Sequence, residues 1–300
     1  MSSSDFLSPT RETAALPDRR RSVWWDAFRR LRRHKPAMAC AGLVLLLVFL
    51  ALTAPWITPY DPVEMHPADA FHGPSRQYLL GTDEYGRDLL SRIIFGSRTS
   101  LAVGIISVSI SLLLGTSLGL VAGYYLGVRD VVISRALDVV YAYPPILLAL
   151  VLMAILGTGM DKAMIAIGIV YIPLFARLCR GSVIAERGKV YVEAARMIGA
   201  SNLRIIGRHV LPNVLAPIIV QATLCMSYAI LAEAALSYLG LGTQPPMPSW
   251  GMMLSKGRGL MGHSPWVSIW PGVSIMAVVF AFNVFGDGLR DALDPRLIGT

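Results

Sequence analysis

Six stretches of this chain, residues 37–56, 99–128, 139–160, 163–176, 210–232 and 266–286, contain no Asp, Glu, Lys or Arg and are mostly apolar. With 54% hydrophobic and 15% charged residues, the composition is too apolar for an ordinary soluble domain. Crossing a bilayer core takes roughly 20 apolar residues, so the stretches predict an all-α integral membrane protein with six transmembrane helices. The fourth stretch is short and contains Pro173, so either Arg177 snorkels or the helix borrows residues on both sides.

The net charge of +8 gains meaning from its placement. With the N-terminus inside, 20 of the 27 Lys and Arg residues fall on the cytosolic side, which predicts an N-in, C-in topology and no nucleic-acid partner. Cys40, Cys179 and Cys225 lie in or at the end of expected spans, as packing residues without a disulfide or metal framework. A polar region precedes a full-length first span, which reads as a retained anchor and not a cleaved signal peptide.

Residues 1–21 read as a disordered cytosolic segment. Residues 22–36 read as an amphipathic elbow helix, with Trp24, Phe28 and Leu31 on one face, leading into a first span at 37–58. An extracytoplasmic loop at 59–98 follows, in which Leu89, Leu90, Ile93 and Ile94 are spaced for a short helix on the outer membrane surface. Glu64, His66, Asp69 and His72 of this loop lack a metal-site spacing. Residues 99–300 form the remaining core, with a cytosolic loop at 180–209 and an outer loop at 236–266.

Within that core, Ser107, Ser111, Gly115, Gly119, Gly123 and Gly127 recur at every fourth position, a ridge that permits close helix approach in lipid. A four-residue step drifts by about 40° per repeat, so the ridge is expected to reach more than one neighbour. Gly115 to Gly119 also matches the G-x-S-x-G hydrolase pattern around Ser117, but a membrane helix offers neither the strand-to-helix turn nor the His that such a nucleophile needs. Pro144 and Pro145 are expected to kink the third span, and Glu233 is a carboxylate near the outer end of the fifth; these three are the candidates for a pathway or gate. In the outer loop Ser249 can cap a short helix, and Trp250, Trp266 and Trp270 suit a headgroup-level belt. A polar helix ended by Pro295 is expected to close the chain.

Between the fourth and fifth spans lies YVEAARMIGASNLRIIGRHVLPN, residues 191–213. Helix formers run to Ile198, Gly199 favours the left-handed cap, Ser201 can start a second short helix through Arg208, and Pro212 falls in the first turn of the next span. The spacing predicts a protruding helix, bend and helix, with Tyr191, Ala194, Ala195 and Ile198 on an apolar side and Glu193, Arg196 and Arg204 free for polar contacts.

Glu193-Ala194-Ala195, Gly199 and Leu211-Pro212 resemble the EAA loop of ABC-importer permeases, which couples the membrane subunit to a cytosolic ATPase. His209 departs from the aliphatic residue usual two places before Leu-Pro. Together with LGTDEYGRDLLSR at 80–92, QPPMPSWGMML in the outer loop and FGDGLRDALDPR near the C-terminus, this loop makes the chain similar to the C-type (DppC- or OppC-like) permease subunits of the dipeptide, oligopeptide and nickel importer family. The resemblance implies a type I ABC-importer permease fold in a bacterial inner membrane. It further implies a homologous B-type permease, two cytosolic ATP-binding subunits and an extracytoplasmic solute-binding protein as partners. Glu193, Ala194, Ala195 and Gly199 would then be contact and bend residues, supported by Arg196 and Arg204. The chain has no G-x-x-x-x-G-K-[ST] phosphate loop, so ATP and Mg belong to the partner ATPases and this subunit is not itself an enzyme. An ion-driven secondary transporter would instead show internal repeats or charge within its spans.

Overall fold

A computed structural model describes residues 23–293, which leaves the segment 1–21 and the helix end at Pro295 outside the described residues. Among the described residues the structure is helical, with one isolated bridge between Thr82 and Asp88. A short basic helix, α1 (Val23–Arg33), turns at His34 into α2 (Lys35–Ile57). His34 caps α2 by accepting from the Ala37 amide at 3.3 Å, and Pro36 sits in the first turn, where a missing N–H costs nothing.

The expected surface helix does not exist as a separate element. Leu89, Leu90, Ile93 and Ile94 form the first turns of α3 (Leu89–Tyr125), a single helix of 37 residues. Asp88 starts it by accepting from the Ser91 amide at 2.8 Å. Nothing between Ile94 and Thr99 can stop a helix, since a lone glycine costs only about 1 kcal/mol. At 1.5 Å per residue α3 is roughly 55 Å long and extends well beyond the bilayer core.

The third span is broken, not kinked. Leu126 and Gly127 both have positive φ, 55° and 62°, and reverse the chain into α4 (Gly127–Tyr141). Pro144 is extended (ψ 131°), as a residue before proline prefers, so Pro145 begins a new helix, α5 (Pro145–Leu156), and α4 and α5 meet at 90°. The fourth span does borrow residues. Helices α6 (Met160–Val170) and α7 (Ile172–Arg187) pass a break at Tyr171 and make one run of 28 residues. Among the described residues, five helical runs are thus long and apolar enough to cross a membrane, or six with the bent α4–α5 pair.

After α7 come α8 (Val190–Met197) and α9 (Asn202–Ile205). The second short helix does not stop at Arg208: a π-helical turn, Ile206–Val210, joins α9 directly to α10 (Leu211–Tyr238). Pro212 gives the reason. Its ring would crowd the carbonyl four residues back in a regular helix, and a widened turn relieves that. On the outer side lies α11 (Trp250–Arg258), capped by Ser249, and α12 (Trp266–Leu293) completes the bundle.

Helix α3 is the axle of this bundle, and its small-residue ridge shows how. Ser107 Oγ donates to the Met164 carbonyl at 2.9 Å and Ser111 Oγ to the Gly168 carbonyl at 2.6 Å, each 57 residues further along. The same offset continues at Gly115, Gly119 and Gly123, where a Cβ would lie 2.6, 2.5 and 2.8 Å from the carbonyl oxygens of Ile172, Ala176 and Arg180. One partner, the α6–α7 run, therefore follows the ridge from Ser107 to Gly123, contrary to the expected spread over several neighbours. The break at Tyr171 falls midway along that contact. The three cysteines are free and buried.

Candidate functional site

The loop between α7 and α10 is a hydrogen-bonded hook with an apolar tip. Helix α8 ends in a paired cap: the Gly199 amide bonds the Arg196 carbonyl at 3.0 Å and the Ala200 amide bonds the Ala195 carbonyl at 3.1 Å, with Gly199 at φ +81°. A Cβ there would meet nothing within 4 Å, so this glycine is needed for backbone conformation alone.

Val192 and Ala195 of α8, with Ile205 and Val210 beyond it, are buried against the bundle. The apolar side thus differs from the expected Tyr191, Ala194, Ala195 and Ile198: only Ala195 of those four is buried. Instead Val190, Met197, Ile198 and Leu203 are 81, 88, 85 and 80% exposed on the projecting side. Glu193, Ala194, Arg196 and Arg204 are exposed around them.

Polar posts hold the hook. Tyr191 donates its hydroxyl to Glu186 at the end of α7 and receives the Asn213 side-chain amide at 3.1 Å from α10. Burial and the Glu186 bond push the Tyr191 phenol up to about 12. Lys189 pairs with Glu186 at 2.6 Å. The end of α3 takes part as well, since Tyr124 donates to Asn202 Oδ1 at 2.9 Å and its carbonyl accepts from Arg187 at 2.9 Å. Leu211 and Pro212 open α10 behind this hook. His209, in the π-turn, accepts from Asn213 through its carbonyl at 2.6 Å.

A second feature is an apolar groove of about 350 Å³ between α5, the α6–α7 break and α10. Pro145, Ile146, Val170, Tyr171, Tyr228 and Leu231 line it, and Tyr171 and Tyr228 stack with centroids 6.3 Å apart. Among the described residues none that lines it is charged. Of the three pathway candidates, Pro145 borders the groove and Pro144 is the residue at which the helix breaks. Glu233 does not line it. At 100° per residue it points away from Leu231 and Ala235, is 1% exposed, and accepts from Ser237 Oγ at 2.7 Å. Ser237 in turn receives the Thr243 amide at 3.1 Å, so Glu233 fastens the outer loop to α10.

The outer motif at 80–92 is a buried charge network. Arg87 pairs with Asp83 at 2.7 Å, Arg92 reaches Asp83 at 3.5 Å and donates to the Pro62 carbonyl at 2.8 Å. Trp250 is not a belt residue. It is fully buried on Gly96 of α3 and its indole N–H donates to the Ile93 carbonyl at 3.0 Å. Trp266 and Trp270 are half-buried and stack on each other. Sequence reasoning also missed α4, whose Asp130 and Asp138 meet Arg180 and Arg177 of α7; the four-residue repeat of Asp130, Ser134 and Asp138 was the available signal.

Residues 115–299 match the family model described as binding-protein-dependent transport system inner membrane component, and residues 22–74 match the N-terminal TM domain of oligopeptide transport permease C. The chain is 49% identical over 278 residues to the dipeptide transport system permease protein DppC of Alkalihalophilus pseudofirmus, covering 92% of this chain and 91% of that one. It is 45% identical to the glutathione transport system permease protein GsiD of Pectobacterium atrosepticum, covering 92% of each. Among solved structures, a chain of the inward-facing MetNI methionine ABC transporter superposes with a TM-score of 0.56 at 18% identity, covering 68% of this chain and 96% of that one, a likeness of fold.

Proposed function

The chain belongs to the inner-membrane components of binding-protein-dependent transport systems, alongside oligopeptide transport permease C, and from that membership we propose that it is the C-type permease half of an ABC importer for di- or oligopeptides. In this reading the other half is a homologous B-type permease, two cytosolic ATPases carry ATP and Mg, and an extracytoplasmic binding protein delivers the peptide. The Lys and Arg bias supports both termini in the cytosol, and with that orientation the α8 hook would face the ATPases and α11 the receiving side.

The observation that carries the reading is the hook's exposed tip. Val190, Met197, Ile198 and Leu203 are apolar, project away from the bundle and sit on a base fixed to three helices. Such a patch among charged residues fits a protein groove better than lipid. ATP-driven closure of the ATPases would move this hook, and with it α7 and α10, between inward- and outward-open arrangements. An uncharged groove suits cargo of varied side chains, with selection left to the binding protein.

The test is to purify the tagged complex from its native membrane, as wild type, Met197→Asp and Glu193→Arg, and identify the subunits present. A second permease and ATPases are expected with wild type, and the variants should lose the ATPases while keeping the permease partner. A wild-type chain that brings down no ATPase would refute the proposal.

A further inference from the structure

Helix α4 is held to the bundle across a cleft. Of its 15 residues only Leu137 is buried, and about 400 Å³ of open volume separates it from α3 and α7. Two guanidinium–carboxylate bridges span this gap. Arg180 grips Asp130 with two bonds, Nε to Oδ1 at 2.5 Å and Nη2 to Oδ2 at 2.6 Å, and Ser134 steadies Asp130 Oδ1 at 3.1 Å. Arg177 donates to Asp138 at 2.7 Å and lies 3.9 Å over the Tyr141 ring.

What these bridges connect gives them meaning. One end stands on α7, which runs without a break to Arg187 and then into the hook. The other end stands on α4, which passes through Pro144 into α5, a wall of the groove. A second route from α7 to α5 runs through α6, which α5 touches directly and joins by the Gly157–Gly159 turn at its far end.

Resting on the transport reading above, we propose that Asp130 and Arg180, seconded by Asp138 and Arg177, are positioning residues that transmit displacement of the docking hook to α5 and so set the width of the groove. A paired, planar guanidinium resists both sliding and rotation, whereas the cleft beneath α4 leaves it free to travel with α7. Partly exposed ion pairs contribute little to fold stability, so variants that lose one are expected to fold.

The experiment uses the full transporter in nanodiscs, with Cys40, Cys179 and Cys225 replaced by alanine and spin labels at Leu147 on α5 and Leu113 on α3. Trapping with ATP and vanadate needs no knowledge of the cargo. In wild type the trapped state is expected to shift the label distance. In Asp130→Asn and Arg180→Gln the shift should fall at least twofold while trapped nucleotide is retained, and Asp130→Arg with Arg180→Asp should restore it. An undiminished shift in the single variants would overturn the proposal, as would a loss of trapped nucleotide that the charge swap does not repair, since that marks a merely structural role. Absence of nucleotide trapping in wild type would instead refute the transport reading on which the inference rests.

Discussion

Replacing Gly119 with alanine tests whether the α3 ridge holds the bundle. The new Cβ would stand 2.5 Å from the Ala176 carbonyl oxygen and 2.7 Å from the Cys179 Cβ. Both belong to α7, and one is backbone, so no rotamer change relieves the clash. To reach ordinary contact at 3.4 Å the helices must separate by roughly 0.9 Å at that point, and neighbouring contacts at Gly115 and Gly123 open with them. Such overpacking costs about 1–3 kcal/mol. Alanine also gains about 1 kcal/mol of helix propensity over glycine, which would hide part of the effect. Gly181→Ala on α7 removes that ambiguity, because its Cβ meets nothing within 4 Å and it gains the same propensity. The difference between the two variants should therefore be the clash itself, about 1–3 kcal/mol, or roughly 5- to 150-fold in the unfolding equilibrium. Unfolding of the purified chain by SDS in mixed micelles, followed by tryptophan fluorescence, measures it. Coincident midpoints for Gly119→Ala and Gly181→Ala would refute the ridge as a close-packed seam.

Three further outcomes follow from the site. Trp250→Phe loses the indole bond to the Ile93 carbonyl and should lower stability by about 1 kcal/mol, while Trp250→Ala should cost about 3–5 kcal/mol, both read in the same micelle titration. Gly199→Ala forces a Cβ into φ +81° at a cost of about 1–2 kcal/mol confined to the cap; co-purification should show weakened ATPase attachment, with the midpoint of global unfolding hardly moved. The raised phenol of Tyr191 favours the folded hook fully below its ordinary value near 10, and that contribution is lost as pH rises toward about 12. Limited proteolysis of the hook should therefore increase between pH 10 and 12 in wild type, and Tyr191→Phe should flatten that rise; an identical increase in the variant would count against the Glu186 anchor.

Sequence patterning revealed the apolar runs because solvent leaves only one interpretation of 20 uncharged apolar residues, and it located the hook because charge and glycine interrupt those runs. Three of its misreadings have a plain physical reason. A helix lying on a bilayer and one standing out of it have the same periodicity, so the pattern of the first turns of α3 equally fits a surface helix, and Arg92 and Arg98 mark a false boundary. Counting apolar residues from 139 to 160 ignores that Pro145 forces an extended ψ on Pro144, while neither proline has an N–H to give, which together break a helix and do not bend it. Indole suits both water and lipid, which makes Trp250 resemble an interface residue. Its true place was encoded at Gly96, 154 residues earlier, where the missing side chain makes room for the ring.

The exposed face of α8 could not be read from its pattern either, because a helix of eight residues has only two turns and an apolar residue on either side fits the rule. What decides the side is α3. Its outer end receives Trp250, its middle carries the ridge against α6 and α7, and its inner end offers Tyr124 to Asn202 and Arg187. The hook is thereby fixed in the same body as α3 and α7, and the residues turned toward that body, Val192 and Ala195, are the ones it buries. Helix α5 contrasts with this, since only Ala149 and Met153 of its 12 residues are buried within the chain. One wall of the groove is therefore backed by the closely packed α3–α7 body and α10, while the other, α5, packs on α6 through those two residues and continues into α4 with its ion pairs. On the proposed coupling, a displacement arriving at the hook would move the first wall directly and reach α5 through α4, so that the width of the groove would follow from how far the two walls travel together.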